Sequence, residues 1–436
     1  MSAEALHQLV QDGDINWIQV HITDLFGGLR AVHFPAKRFL ESDILSSGFG
    51  FDGSSVGFKS VEKSDMIAIP DPESFRVLPH EADEALIRAD IFETDGSPCS
   101  GDPRQMLQSA VAKVKSAGFD AVKFAPEMEF HCFAPDVNGT EGAYAPRTNK
   151  GYFVAPPIDD VKEYRKELSE MLLEMNYPVK YHHHECGASQ HEVEITGLDA
   201  VSAADFCVLF KYLARELASL YGIQVTFMPK PVADEAGNGM HAHMLFEKDG
   251  KNAFFDEEDP YHLSETARYF IGGVLDHSQG LAAIANPIVN SYKRLVPNYE
   301  APIYIAWAGH NRSSLIRIAA KKNVDVEVRN ADPAANVYLF YAGLLHAGLD
   351  GIAKKTSYEP IEKNIYSMSE TEIAAHNISR MPEDLSHALE ALESDDVLMD
   401  SLGRDAMSRY IEGKKKETRQ FNAQITEADF EFFFNC

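Results

Sequence analysis

Four segments between Glu127 and Arg329 alternate between apolar and polar side chains, with Leu245 the exception. Successive residues of a strand face opposite sides of a sheet, so counting in twos sorts each segment into two faces. In the first, Met128, Phe130 and Cys132 oppose Glu127, Glu129 and His131; in the second, Val193 and Ile195 oppose Glu192 and Glu194. In the third, Met240, Ala242, Met244 and Phe246 oppose His241, His243 and Leu245; in the fourth, Val324, Val326 and Val328 oppose Asp325, Glu327 and Arg329. The pattern predicts four strands with apolar backs and fronts made mainly of Glu and His, whereas a solvated sheet face also carries Lys, Thr, Ser and Gln. Joined in one sheet, these fronts form a carboxylate cluster that repels itself without cations, and divalent metal is the simplest remedy.

Helical spacing supplies cover for the backs. Val161, Tyr164, Leu168, Leu172 and Met175 make one stripe, and Phe206, Phe210, Leu213 and Leu217 a second that ends at Gly222. Residues 264–282, with Ser264 as N-cap, and 336–354 read as two further helices. Residues 1–103 differ: after a helix at 3–11 come short alternating runs such as Trp17–Ile22, punctuated by Gly27-Gly28 and by Gly48–Ser55. Asp52 precedes a Gly-Ser-Ser turn, where a short acid caps its own backbone. At Asp102-Pro103 a helix cap and a first-turn proline open a new helical run, and the domain boundary belongs there, giving 1–103 and 104–436. The fold class expected is α+β.

Composition narrows the chemistry. Forty basic against 67 acidic side chains in 436 residues give a formal charge of −27, which opposes binding to nucleic acid or anionic membrane. The acidic N-terminus lacks a signal peptide's basic start, no apolar run reaches membrane length, and five scattered cysteines suggest no disulfide scaffold, so a cytoplasmic protein is expected. The stretch His182–Glu194 holds four histidines and three glutamates in thirteen residues. Alone it reads equally as a solvated His-rich loop or as a source of metal ligands and acid/base groups.

Several ordered motifs decide between these. Phe51-Asp52-Gly53-Ser54-Ser55, Glu127-Met128-Glu129, His183-His184-Glu185 with Gln190-His191-Glu192, Phe227-Met228-Pro229-Lys230-Pro231, Gly239-Met240-His241, Asn290–Pro297, Tyr299-Glu300-Ala301-Pro302, Asn311-Arg312-Ser313 and Glu327-Val328-Arg329 resemble the signatures of type I glutamine synthetases in their family order. The resemblance implies an N-terminal β-grasp domain and a catalytic domain built on a curved antiparallel sheet backed by helices. It also implies a homo-oligomer of two stacked hexameric rings, with active sites between subunits. Carried over by motif, Glu129, Glu185 and Glu192 would hold one Mg²⁺ or Mn²⁺, and Glu127, His241 and Glu327 another, a hard donor set suited to metal bound with phosphate. Arg294 and Arg329, with Gly237, would take substrate carboxylates. Arg312 and Arg317 would take phosphate, and His243 would contact ATP. Asp52 of a neighbouring subunit would bind ammonium, and Glu300 would lie on a flap over the intermediate. The substrates implied are L-glutamate, ATP and ammonium or an organic amine.

Departures from the family pattern gather near the substrates. Ala236 stands where the family has an Asn that helps hold glutamate, Asp325 where it commonly has an arginine for phosphate, with Lys321 or Lys322 as substitutes, and Lys180 where it has a Glu near the nucleotide. Ser60 stands where bacterial relatives often carry a regulatory Arg. Three readings follow: glutamine formation, a γ-glutamylamide or γ-glutamylpolyamine synthetase, and a catalytically silent nucleotide-binding homologue.

Overall fold

The computed structural model describes residues 3–59, 61–81, 83–134, 145–146, 148–149, 151–297, 299–318 and 324–434. Ser60, Lys321, Lys322 and Cys436 lie outside them. Cys99, Cys186 and Cys207 are free thiols.

The N-terminal sheet comprises β1 (Trp17–Thr23), β2 (Leu29–Pro35), β3 (Phe49–Asp52), β4 (Asp65–Val77) and β5 (Glu84–Glu93), in the order β2-β1-β5-β4-β3. Only β1 and β5 run parallel, which places the two most buried strands side by side at the centre. Helix α1 (Ala3–Asp12) presents Leu6 and Val10, one turn apart, to a core that includes Ile18, Val20, Phe39 and Ile87. Gly48, at φ +70°, must be glycine, because a Cβ there would meet the Ala68 carbonyl oxygen at 2.5 Å.

Asp102 caps α2 (Pro103–Ser116) by accepting from the Arg104 amide at 2.9 Å, and also accepts from the Ile91 amide of β5 at 2.8 Å. Arg104 then ties the halves of the chain together. Its guanidinium reaches Asp71 of β4 at 2.6 Å, Asp90 of β5 at 2.7 Å and buried Asp205 of the second half at 3.1 Å.

The large sheet is built from β6 (Ala121–Ala134), β7 (Val179–His184), β8 (Gln190–Ile195), β9 (Ala242–Lys248), β10 (Tyr304–Ala308), β11 (Ser314–Arg317) and β12 (Val326–Val328). Its order is β10-β11-β12-β9-β6-β8-β7, with Ser379–Arg380 outside β10 and further short strands pairing with β6 and β9. The four strands anticipated from alternation are the central β12-β9-β6-β8. All their pairings are antiparallel, and the parallel exception is β10 with β11. Two are shorter than the pattern suggests, since β9 starts at Ala242 and β12 at Val326. The ends still track their neighbours, because the Glu127 amide donates to the His241 carbonyl at 3.1 Å.

The backs pack on α3 (Lys162–Glu174), α4 (Ala200–Leu220), α5 (Glu265–Asp276), α6 (Ser278–Ala285) and α7 (Val337–Lys354). Phe130 touches Tyr164 and Phe210, and Phe124 stacks on Tyr341 with centroids 3.9 Å apart. The single helix expected over 264–282 is two. Ser264 does cap the first, but the second starts anew after His277, whose ring is held by Asp395 at 2.6 Å and Asp350 at 3.0 Å. Among the described residues no helix is long and apolar enough to cross a membrane.

Candidate active site

Strand register assembles the front. Pairing of β6 with β8 sets Glu127 opposite Glu194 and Glu129 opposite Glu192, and pairing of β9 with β12 sets His243 opposite Glu327. Glu185 lies one residue past β7, on the turn rather than on a strand. Its amide donates to the Gln190 carbonyl at 2.8 Å, which fixes the turn against β8.

One cavity gathers Glu127, Glu129, Glu185, Glu192, His241 and Glu327 with Arg294, Arg312, Arg317 and Arg329, and its wall also includes Gly237 and Glu300. Two predicted residues are not on that wall. His243 stands behind Glu127, one ring nitrogen 2.8 Å from the Glu127 carboxylate and the other 2.9 Å from Asp325. Asp52 is exposed and, within its own chain, accepts from the Ser54 amide and from the Ser54 and Ser55 hydroxyls, so the turn-capping reading is what the single chain displays. Those bonds hold its carboxyl down at about 2.

Two of the compact donor groups in the site each contain a histidine. One ligand atom each from Glu127, His241 and Glu327 lies within 4.8 Å of the others, and the same holds for His183, Glu185 and Glu192. Glu129 is absent from the second trio. Its Oε2 accepts from the Gln190 side chain at 2.7 Å and from the Gly239 amide at 2.8 Å, while His183 approaches Glu192 at 3.3 Å. His182, His184 and His191 act as supports. Arg165, paired with Asp159, donates to His191 Nδ1 at 2.8 Å and to His182 Nδ1 at 3.4 Å, and His184 meets Thr148 Oγ1 at 2.6 Å.

The electrostatics fit a site that receives cations. Burial, then Glu129, pushes the Glu185 carboxyl up to about 8. Burial and the surrounding carboxylates Glu127, Glu129, Glu185 and Glu194 push Glu192 well above the usual range. Burial also opposes ionisation of Glu127, but His243 and His241 outweigh it and hold its carboxyl well below that range. His243 itself is raised to about 10 despite burial, by Glu127 and Asp325. Space is reserved as well: a Cβ on Gly239 would meet Arg294 Nη2 at 2.8 Å and His241 Nε2 at 2.9 Å. The donor set, its mutual repulsion and this glycine-lined cradle fit Mg²⁺ or Mn²⁺, and Glu127, His241, Glu327, Glu185 and Glu192 are the residues that could hold it.

The arginines are already partly engaged. Arg329 Nε lies 3.0 Å and Arg317 Nε 2.7 Å from the two oxygens of Glu327, so Glu327 is gripped on both sides. Arg294, buried, donates to the Asn330 carbonyl at 2.7 Å. Arg312 is exposed, and its carbonyl accepts from Arg329 Nη1. Glu300, at φ +62°, has its carboxylate 3.7 Å from Cys186 Sγ.

Gln190, Glu194, Tyr152 and Tyr181 also line the cavity without having been assigned a role. Gln190 and Glu194 were countable, since they share the face of Glu192. Tyr152 sits in an irregular segment with no period to betray it. Asn238, two residues after Ala236 in the loop before β9, is fully buried and bonds His131 at 2.8 Å and the Met228 carbonyl at 2.8 Å, so it braces the loop instead of facing the cavity.

Residues 100–433 match the family model for the glutamine synthetase catalytic domain, and residues 14–94 the model for the glutamine synthetase beta-Grasp domain. Glutamine synthetase of Thermotoga maritima is 39% identical over 435 residues, 98% of each chain. That of Halobacterium salinarum is 39% identical over 424 residues, 95% of this chain and 92% of its own. Among solved structures, a GmaS/ADP complex aligns with a TM-score of 0.90 at 30% identity over 99% of both chains. Plasmodium falciparum glutamine synthetase aligns with a TM-score of 0.88 at 25% identity, over 99% of this chain and 98% of its own. With its β-grasp domain followed by a sheet whose front gathers acids and arginines in one cavity, the chain belongs to the glutamine synthetase family of ATP-dependent carbon–nitrogen ligases.

Proposed function

We propose that the protein joins ammonium to the γ-carboxylate of L-glutamate through γ-glutamyl phosphate, releasing glutamine, ADP and phosphate. The observation that carries this reading is the single cavity that brings seven glutamates and His241 together with four arginines. Such a site suits the meeting of two anions, a carboxylate and a triphosphate, and little else explains both charge signs at once. Bound to these acids, Mg²⁺ or Mn²⁺ would offset the phosphate charge and keep the reacting groups in line.

In the first step a γ-carboxylate oxygen bonds to the γ-phosphorus as the bond to ADP breaks. Arg294 and Arg329, beside Gly237, hold the substrate carboxylates, and Arg312 and Arg317 hold phosphate oxygens, roles that bidentate guanidinium geometry suits. His243 acts on ATP through Glu127, the group it backs. In the second step ammonium gives up a proton to the Asp52 carboxylate of the neighbouring subunit, ammonia attacks the acyl carbon, and phosphate leaves with the proton shed by the attacking nitrogen. Asp52 of the neighbouring subunit binds ammonium through the charge of its carboxylate, and Glu300 on the flap shields the acyl phosphate from water.

The same reading takes residues 1–103 and 104–436 as the two domains, places the enzyme in the cytoplasm and assembles it into two stacked hexameric rings. Support for assembly comes from the C-terminal segment, where Phe430, Phe432, Phe433 and Phe434 are exposed, an arrangement typical of a surface buried by a partner.

Ala236 in the cavity wall, with Asn238 turned into the core, favours keeping one second reading, an enzyme that uses an organic amine. Phosphate release measured with glutamate, ATP and Mg²⁺ plus ammonium, methylamine, ethanolamine or putrescine separates the two. Ammonium-dependent turnover is expected, and turnover only with an organic amine overturns the first reading.

A further inference from the structure

Glu300 belongs to the irregular stretch 299–302 that leads into β10, and its residue is exposed with the backbone at φ +62°. A residue with a side chain keeps this left-handed conformation when the chain on either side of it is fixed. Both sides are fixed here. Before Glu300, the Lys230 ammonium lies 3.9 Å from the centre of the Tyr299 ring. After it, the Tyr366 hydroxyl donates to the carbonyl of buried Ala301 at 2.8 Å.

Tyr366 is itself anchored. It sits in a single 3-10 turn, Ile365–Ser367, which Asn364 caps by accepting from the Tyr366 amide at 3.1 Å. The amide of fully buried Ile365 donates to Ser313 Oγ at 3.2 Å, and Asn311 Nδ2 donates to the Ile361 carbonyl at 3.2 Å. The segment that reaches the stretch around Glu300 therefore rests on the loop that carries Arg312. The Tyr366 ring also leans on Tyr304 of β10, with centroids 5.9 Å apart. Burial pushes the phenol pKa up, so the hydroxyl keeps its proton and donates.

We propose that Tyr366 is a positioning residue for the ligation, its hydroxyl latching the backbone beside Glu300 so that the flap stays shut over the acyl phosphate until the amine attacks. The inference rests on the proposed ligase reaction. Tyr366 is not on the cavity wall and acts through Ala301. Without the latch, water adds to the acyl carbon in place of ammonia. The bond from that carbon to the phosphate oxygen breaks, and glutamate, phosphate and a proton leave. ATP is consumed and no amide forms.

The test compares phosphate released with glutamine formed by the assembled full-length protein given glutamate, ATP, Mg²⁺ and ammonium. Wild type is expected to make the two in equal amounts. In Tyr366→Phe, phosphate should exceed glutamine, and glutamate-dependent phosphate release without ammonium should rise roughly fivefold, the kinetic equivalent of one lost hydrogen bond. Asn364→Ala, at an exposed position, frees the turn that carries Tyr366 and should shift the ratio the same way. Tyr358→Phe is the control, because the Tyr358 hydroxyl donates to Asp276 and not to the flap, and its loss should leave the amounts equal. Equal amounts in Tyr366→Phe, or in Asn364→Ala should Tyr366→Phe not assemble, overturn the latch, as does the same excess in Tyr358→Phe. If wild type forms an amide only from an organic amine, the same ratio is read with that amine. A wild type that consumes ATP with no amine at all removes the ligase reading, and the proposal with it.

Discussion

Glu327 shows how much a single residue carries. It is 2% exposed, its oxygens are gripped by Arg317 and Arg329, and it closes a donor group with Glu127 and His241. Glu327→Gln and Glu127→Gln keep shape and remove charge, so each is expected to lower turnover by about 10³-fold, the kinetic equivalent of several kcal/mol of lost charge stabilisation. Size-exclusion elution should not move; wild-type turnover in both variants would dismantle the assigned roles. Gly237 is constrained by space, because a Cβ there would sit 2.2 Å from the Pro229 carbonyl oxygen and 3.1 Å from Arg294 Cγ. Gly237→Ala must therefore displace the loop or Arg294, and a rise of about tenfold in KM for the amino acid, worth roughly 1.4 kcal/mol, is expected in steady-state kinetics. At this scale the sequence announced Glu and His through alternation, while Tyr152 escaped it because its segment has no period.

At the scale of elements, the central strands were legible because one buried face and one functional face enforce a period of two. Helix ends were less so. Nothing in the composition of 264–282 announces a break, which depends on Asp350 and Asp395 converging on His277 from elsewhere in the chain. Those two carboxylates outweigh burial and raise the His277 pKa above its usual value. A histidine whose folded pKa exceeds its unfolded value of about 6.5 contributes fully below that pH, and the contribution fades as pH rises through the folded pKa. His277→Gln is thus expected to cost about 2 kcal/mol at about pH 6, and less at about pH 9, as the contribution of the charged ring fades with rising pH. Calorimetric melting at the two pH values checks this, and a gap that widens with pH would refute it.

For the whole molecule, the junction and the assembly matter most. The turn at Asp102-Pro103 was visible as a cap, but its partner network was not, since Arg104 finds Asp71, Asp90 and Asp205 only in three dimensions. Arg104→Met leaves Asp71 and Asp90 without their shared cation and buried Asp205 with Arg88 alone, and a loss of about 3 kcal/mol in urea unfolding is expected.

The single chain leaves its cavity one group short, because Asp52, the residue assigned to ammonium, is exposed and is not on the wall built by its own chain. A shared site explains this, and it has a consequence that a self-contained site lacks. If Asp52 serves the neighbour, a subunit carrying Asp52→Ala still offers an intact catalytic cavity, and one carrying Glu327→Gln still offers an intact Asp52. Each variant alone is expected to be nearly inactive. In rings mixed at random from equal amounts of both, one interface in four combines a sound Asp52 with a sound cavity, so about a quarter of wild-type turnover should return. Co-expression of differently tagged variants, tandem purification and an ammonium-dependent assay give the number. Recovery requires that Asp52 act across the interface. If the mixed oligomers stay as inactive as their parents, Asp52 acts within its own chain or not at all.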